Sequence, residues 1–317
     1  MKINLIIPMA GVGKRFLDKN YISNKSLLMT DNTLSILEKI IINFDIKKTN
    51  FYLILSNKDL AKKIKIYFSN YNLKILIIEK HNKGPLNSIL LAQKFLKKLL
   101  KRKSKIFICY SDIIWSWNFN RVLKYINGKN IVVFTHKGFH PHLEVNPKAD
   151  FCLINNSLIN QVQKKSFIGD DYKENLLAIG CYYFQNFTIL NNSLSSMKIA
   201  PKQNKEFYLI DLLEKNLEQK KLIYSYQVKK FVHLGIPSQY EDFLVWQRYF
   251  LNIKKNKFIS NNFLLKENPV IVLGGGKGLR TRSIVNNKVL MRLDNKYFYE
   301  TILDSFKSKN NYIILNN

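Results

Sequence analysis

Apolar and polar positions alternate in blocks of two kinds over the first 250 residues. Runs rich in Ile, Leu, Phe and Val occupy Lys2 to Pro8, Phe51 to Leu55, Lys74 to Ile78, Lys105 to Tyr110 and Ile131 to Phe134. Short, nearly unbroken apolar runs read as strands covered on both faces. Between them, Leu34 to Phe44, Asp59 to Phe68 and Leu86 to Leu100 carry apolar residues at helical spacing. The last is the clearest, with Ile89, Leu90, Gln93, Phe95, Leu96 and Leu99 on one face and lysines opposite. This alternation predicts an α/β protein, a mostly parallel sheet with helices on both faces and ligands at the carboxyl ends of its strands. From Asp150 onward, Phe151 to Ile154, Leu158 to Val162 and Leu177 to Phe184 predict paired short strands, a small antiparallel insertion over the site. A helix over about Lys205 to Gln219 follows, then a strand near Phe231 and a helix opened by Pro237, a residue suited to a first turn. Residues 251–268, rich in Lys and Asn, read as a linker.

Composition narrows the partners. With 317 residues and 46% hydrophobic content the chain can bury a substantial core. Its net charge of +29 would suit a polyanion. The excess, however, is nearly all lysine, scattered beside abundant Asn and Ile, with no arginine-rich patch interleaved with aromatics. Specific nucleic-acid binding is therefore not expected. Cys109, Cys152 and Cys181 lie far apart in apolar contexts without metal spacing, which predicts buried, reduced thiols and a cytoplasmic setting. No apolar stretch approaches the ~18 residues that span a bilayer, so membrane insertion is not expected.

Candidate chemistry begins at the first strand. Ala10-Gly11-Val12-Gly13-Lys14-Arg15-Phe16 follows Leu5-Ile6-Ile7, and Lys25 stands a short loop later. A strand feeding a glycine turn brings bare amide N–H groups against an anion, and arginine and lysine add charge. Near the C-terminus the pattern recurs: Val270 to Leu273, Gly275-Gly276-Lys277-Gly278-Leu279-Arg280-Thr281 and Lys288. Tyr52-Leu53-Ile54-Leu55-Ser56-Asn57 likewise recurs as Tyr312-Ile313-Ile314-Leu315-Asn316-Asn317. The expected organisation is one whole anion-binding domain at 1–250, the linker, and the opening of a second domain at 269–317.

Ile7 to Phe16 followed by Asn24-Lys25-Ser26-Leu27-Leu28 resembles the signature of sugar-phosphate nucleotidyltransferases, a G-x-G-x-R loop and then a lysine flanked by prolines. The resemblance continues through Gly84 to Ala92, Tyr110-Ser111-Asp112, Val162 to Lys165, Gly180 to Phe184, Glu206-Phe207-Tyr208 and Leu234 to Pro237, in family order over about residues 1–250. Its closest subset is the bacterial enzymes of capsule and surface-polysaccharide precursor synthesis. It implies a Rossmann-like, three-layer nucleotidyltransferase (GT-A-like) fold, a nucleoside triphosphate and a sugar 1-phosphate as substrates, and Mg2+ as cofactor. Homo-oligomerisation is left open.

In such a transfer a sugar-phosphate oxygen attacks the α-phosphorus and pyrophosphate leaves, so positioning and charge neutralisation are nearly the whole task. Ala10, Gly11 and Gly13 would cradle the triphosphate, Arg15 would reach the departing phosphates and Lys25 the α-phosphate. A solvated loop lysine and a helix-capping aspartate are the bland alternatives for Lys25 and Asp112. The recurrence as Lys288 and the strand-end position of Asp112 favour function, in the latter case a metal ligand. The resemblance implies nucleobase contact at Gly84, sugar-phosphate binding at Lys164, with Lys165 equally placed, and a sugar wall at Gly180. Four positions depart from the family pattern: Gln163 for Glu, His233 for a second metal aspartate, and Asn24 and Ser26 for prolines. Two other readings stand beside the active enzyme: a catalytically weak or regulatory relative, and a glycosyltransferase, for which Ser111-Asp112-Ile113-Ile114 lacks the usual Asp-x-Asp pair.

Overall fold

The computed structural model describes residues 2–21, 24–31, 33–100, 103–137, 149–169, 174–197, 206–254, 270–274, 288–293, 296–306 and 311–314. These fall into two compact units, one within residues 1–247 and one within 248–317.

In the first unit the strands are β1 (Ile3–Pro8), β2 (Thr49–Leu55), β3 (Leu73–Ile77), β4 (Lys105–Cys109), β5 (Ile113–Ser116), β6 (Ile131–His136), β7 (Phe151–Asn155), β8 (Leu158–Gln163), β9 (Leu176–Phe184), β10 (Ile223–Gln227) and β11 (Lys230–His233). Nine of them form one sheet in the order β3-β2-β1-β4-β9-β6-β10-β8-β7, while β5 pairs with β11 in a separate ribbon. The helices are α1 (Lys14–Leu17), α2 (Ile36–Ile42), α3 (Lys58–Tyr67), α4 (Gly84–Leu99), α5 (Phe119–Tyr125), α6 (Phe187–Ser195), α7 (Leu209–Glu218) and α8 (Pro237–Lys254), the last running on beyond the first unit.

Every residue of β1 and of β9 is buried. Alternate side chains point to opposite faces, so both faces of the sheet are covered at its centre, as the unbroken apolar runs predicted. The sheet is mixed, and not mostly parallel. It is parallel through β3-β2-β1-β4 and at β6-β10. It is antiparallel where β9 enters between β4 and β6, and again at β10-β8 and β8-β7. The strands after Asp150 therefore extend the main sheet instead of forming a separate insertion, and β7 also pairs with β9. Helix α2 carries a capping box, with Ser35 Oγ accepting from Glu38 N and Ser35 N donating to Glu38 Oε2 at 2.7 Å.

Cys109 and Cys181, distant in sequence, are cross-strand partners with sulfurs 2.9 Å apart, so the expectation of scattered cysteines is corrected for this pair; all three thiols are free and buried.

In the second unit, β12 (Val270–Leu273) pairs in parallel with a strand at Asn311–Ile314, and a helix at Phe298–Phe306 packs on the Val270 and Val272 side. The Gly275–Thr281 loop, the end of the repeat at 315–317 and most of the 251–268 linker lie outside the described residues.

Candidate active site

Strand β1 delivers the chain to Ala10, whose carbonyl accepts from Ser56 Oγ at 2.9 Å. Gly13 then caps α1 with φ +68°, a left-handed conformation that glycine adopts without strain. A Cβ added at Gly11 or Gly13 would meet nothing within 4 Å, so the main chain of this loop faces open space. Arg15 is exposed in the first turn of α1.

The lysine loop is stiffened without prolines. Asn24 Oδ1 accepts from Ser26 N at 3.1 Å and from Ser26 Oγ at 2.6 Å, folding Lys25–Leu27 into a short 3-10 turn with Ser26 fully buried. An Asx turn of this kind fixes locally what the proline ring would fix by geometry. It presents Lys25 to Asp112, and Nζ lies 2.5 Å from Oδ2 with the side chains 26% and 14% exposed. Burial opposes ionisation of Asp112, yet Lys25 and, behind it, His233 hold its carboxyl below the usual range.

His233 reaches this carboxylate through the ribbon. Strand β11 pairs antiparallel with β5 so that His233 lies opposite Ile113, and Leu234 N donates to Asp112 O at 2.7 Å. His233 Nδ1 is 2.9 Å from Gln239 Oε1. A Cβ placed on Gly235 would lie 2.8 Å from His233 Nε2 and 3.2 Å from Asp112 Oδ2. Both side chains thus converge on the bare backbone of Gly235. Burial pushes the His233 imidazole below its ordinary pKa against the pull of Asp112.

A second cluster lies on β8 and α7. Lys164 Nζ donates to both carboxylate oxygens of Asp211, at 2.9 and 3.1 Å, and to Glu206 O at 2.8 Å. Asp211 also accepts from Tyr208 N at 2.6 Å and so caps the start of α7. Lys165, at φ +57°, pairs with Glu206 at 3.6 Å and lies over the Tyr208 ring. Lys164, Lys165, Gln163, Asp211 and Glu214 line a cleft of ≈350 Å³. Burial lifts Asp150, beside Lys165 and Asp211, to about 6. The charge of Arg15 makes a minor contribution to lowering the pKa of both Tyr208 and His233.

Gly180 and Gly84 have structural reasons for being glycine. Gly180 sits in β9 at φ +85°, and its Cβ would lie 2.6 Å from Tyr110 Cδ2. Gly84 opens α4 at φ +82°, and its Cβ would lie 2.8 Å from Phe207 N. Phe207 N in turn donates to Lys83 O at 2.9 Å.

Three solved structures share this architecture. A nucleoside-diphosphate-sugar pyrophosphorylase from Vibrio cholerae RC9 superposes with a TM-score of 0.61 at 17% identity, covering 76% of this chain and 99% of that one. A UDP-glucose pyrophosphorylase complexed with UDP-glucose gives 0.62 at 17%, covering 80% and 100%. An inositol-1-phosphate CTP transferase from T. maritima gives 0.57 at 15%, covering 77% and 95%. The chain shares the α/β fold of these three structures. No protein-family profile matches it, and no curated protein matches it by sequence. Within this fold the structure brings Lys25 and Asp112 into contact and leaves the Gly11–Gly13 loop open, while Lys164 is already held by Asp211. Sequence reasoning did not find Asp211, Asp150 or Gln239. Asp211 has a local signal, three residues after Tyr208 at a helix start; Asp150 and Gln239 have none, since only the folded sheet places them.

Proposed function

We propose that the chain transfers a nucleoside monophosphate from a nucleoside triphosphate to a sugar 1-phosphate, releasing pyrophosphate. The observation that carries the reading is the Lys25 ammonium held at a strand-end carboxylate, beside an open glycine loop, in this fold. In the transfer an acceptor phosphate oxygen bonds to the α-phosphorus as the bond to the β-bridging oxygen breaks, and the electron pair leaves with pyrophosphate. Amides of Gly11 and Gly13, with Ala10 anchored below them, hold the triphosphate. Arg15 neutralises the departing phosphates. Lys25 leaves Asp112 for the α-phosphate, where its charge offsets what develops in the transition state.

At the acceptor end Lys165 is better placed than Lys164 to meet a phosphate, because three acceptor oxygens already surround the Lys164 ammonium. The sugar would lie along β9 at Gly180 and the nucleobase near Gly84. Magnesium, which the sequence resemblance implied, prefers an all-oxygen set. Among the described residues the donors that converge at Gly235 are one carboxylate and one imidazole, which do not match that preference, so no step is routed through magnesium. The reading assigns the reaction to residues 1–250. It treats 269–317 as a partial second copy of the same unit, a reading supported by β12 pairing in parallel with Asn311–Ile314 as β1 pairs with β2.

The test is pyrophosphate release and a new phosphodiester, followed by 31P nuclear magnetic resonance, across the common nucleoside triphosphates with glucose 1-phosphate and related sugar 1-phosphates. Binding of triphosphate without pyrophosphate release from any pair would replace this reading with that of a non-catalytic relative. Release of nucleoside diphosphate from a sugar nucleotide would indicate a glycosyltransferase.

A further inference from the structure

We infer that Tyr240 is a positioning residue for the proposed transfer: its hydroxyl clamps the loop that carries Lys25 and so sets where the ammonium stands relative to Asp112 and to an incoming polyphosphate. The inference deepens the proposed function and rests on it.

The start of α8 holds the lysine loop on both sides of Lys25. On the near side Tyr21 Oη donates to Glu241 Oε1 at 2.9 Å. On the far side Tyr240 Oη donates to Met29 O at 2.7 Å. The two contacts differ in weight. Glu241 is exposed, so its bond competes with water, whereas Tyr240 is only 7% exposed.

The bearing of the Tyr240 hydroxyl is fixed by packing. Phe16, next to Arg15, and Tyr21 stand edge-on to the Tyr240 ring with centroids at 6.5 and 6.1 Å, and edge-on to each other at 5.2 Å. Edge-to-face contact is the favoured arrangement for such rings. Met29 is also held from the opposite direction, since it forms an antiparallel bridge with Ser35, the cap of α2.

Between these anchors the lysine turn is closed by short-range bonds, Leu27 N to Asn24 O at 2.9 Å and Leu28 N to Lys25 O at 3.2 Å. Bonds of that range give the turn its shape without locating it in the domain. Its location comes from the chain between Leu234 and Glu241. Leu234 N donates to Asp112 O at 2.7 Å, and within the same short stretch Tyr240 holds the lysine loop. One segment thus carries both partners of an ion pair that are 87 residues apart in sequence. A lysine that must exchange a carboxylate for a phosphate gains from such a fixed base, because misplacement of a charged group by about 1 Å is costly in rate.

Two measurements on the full chain test the clamp. Amide hydrogen exchange at Leu27 and Leu28 reads the order of the loop, and calorimetric titration with inorganic tripolyphosphate reads its ligand. Tyr240→Phe removes one oxygen and keeps the ring. It is expected to speed exchange at both amides and to weaken tripolyphosphate by about fivefold. Tyr125→Phe, which loses a hydroxyl bond from α5 to Ser225 O on β10, is expected to change neither. Glu241→Ala is expected to act in the same direction as Tyr240→Phe with a smaller loss, and it carries the test if circular dichroism shows Tyr240→Phe unfolded. Lys25→Ala alone is expected to weaken tripolyphosphate by about tenfold, and adding Tyr240→Phe to it should cost nothing further, because the clamp acts through Lys25. Unchanged exchange in Tyr240→Phe overturns the inference, as does unchanged tripolyphosphate affinity, absence of binding in both proteins included. A double variant that loses the product of the two single effects overturns it as well. A Tyr240-dependent affinity in a protein that releases no pyrophosphate from any substrate pair sinks the proposed function alone, whereas an unaffected Tyr240→Phe in a protein that does release pyrophosphate sinks this inference alone.

Discussion

Replacing Gly180 by alanine perturbs the sheet at one atom. The backbone there has φ +85°, which an L-residue adopts at a cost of about 1–2 kcal/mol. The new methyl would also stand 2.6 Å from Tyr110 Cδ2, closer than carbon atoms approach. Tyr110 cannot yield cheaply. Its hydroxyl accepts from Leu209 N at 3.0 Å, its own N–H donates to Gly180 O at 2.9 Å, and Tyr182 packs on it edge-on at 5.9 Å. Overpacking of a closed core costs about 1–3 kcal/mol. The expected loss is therefore roughly 2–5 kcal/mol, a large share of the ~5–15 kcal/mol that holds a domain folded. Urea denaturation of wild type, Gly180→Ala, Tyr110→Ala and the double variant separates the two contributions. Without the ring the clash vanishes and only the backbone cost remains, so the double variant should be more stable than the sum of the singles by about 1–3 kcal/mol. Strict additivity would refute the claim that the Tyr110 ring is what requires glycine at 180.

Lys25→Ala and Arg15→Ala should each lower kcat/KM by about a hundredfold or more, and Lys14→Ala by little; equal losses in steady-state pyrophosphate release would mean diffuse basic attraction. Asp150 gives a pH signature. Its carboxyl rises from the ordinary 3.8 to about 6 on folding, so its contribution is intact below pH 4 and lost as pH rises through 6, a change of about 3 kcal/mol. Asp150→Asn should consequently be the more stable protein at pH 7 and lose that advantage near pH 4 in urea titrations at the two pH values. Cys109, Cys152 and Cys181 are all buried, and burial raises the thiols of Cys152 and Cys181, so none should react with an aromatic disulfide reagent until the protein unfolds.

The central strands and α4 were legible because their signal is local. Unbroken apolar runs identified β1, β2 and β4, and the apolar periodicity identified α4, although its buried face is Leu86, Ile89, Ala92 and Leu96, and Phe95 and Leu99 of the expected stripe are exposed. The direction of β9 was not legible, since nothing in its own residues says that it enters antiparallel between β4 and β6. Strand β5 escaped for a related reason: Ile113–Ser116 is short and becomes a strand only by pairing with β11, more than a hundred residues later. The candidate site divides the same way. Lys25 and Asp112 could be singled out from a loop and a strand end, whereas the Asp211 grip on Lys164 and the Gln239 contact with His233 exist only once distant segments meet.

The β5–β11 ribbon also has a consequence for synthesis. Lys25, Asp112 and His233 come from three widely separated stretches, and no two of them are drawn together by local structure. Contacts of such sequence separation close late, because the entropy of the intervening loops is lost before they form. A chain growing on the ribosome at about 5–20 residues per second would thus carry its glycine loop and basic residues for many seconds before His233 emerges. Lysines such as Lys48 and Lys62 find carboxylates three residues away, but Lys25 has no partner until Asp112 is placed at the end of its strand. The Lys25–Asp112–His233 cluster is complete only at the last closure of the domain, when the ribbon forms.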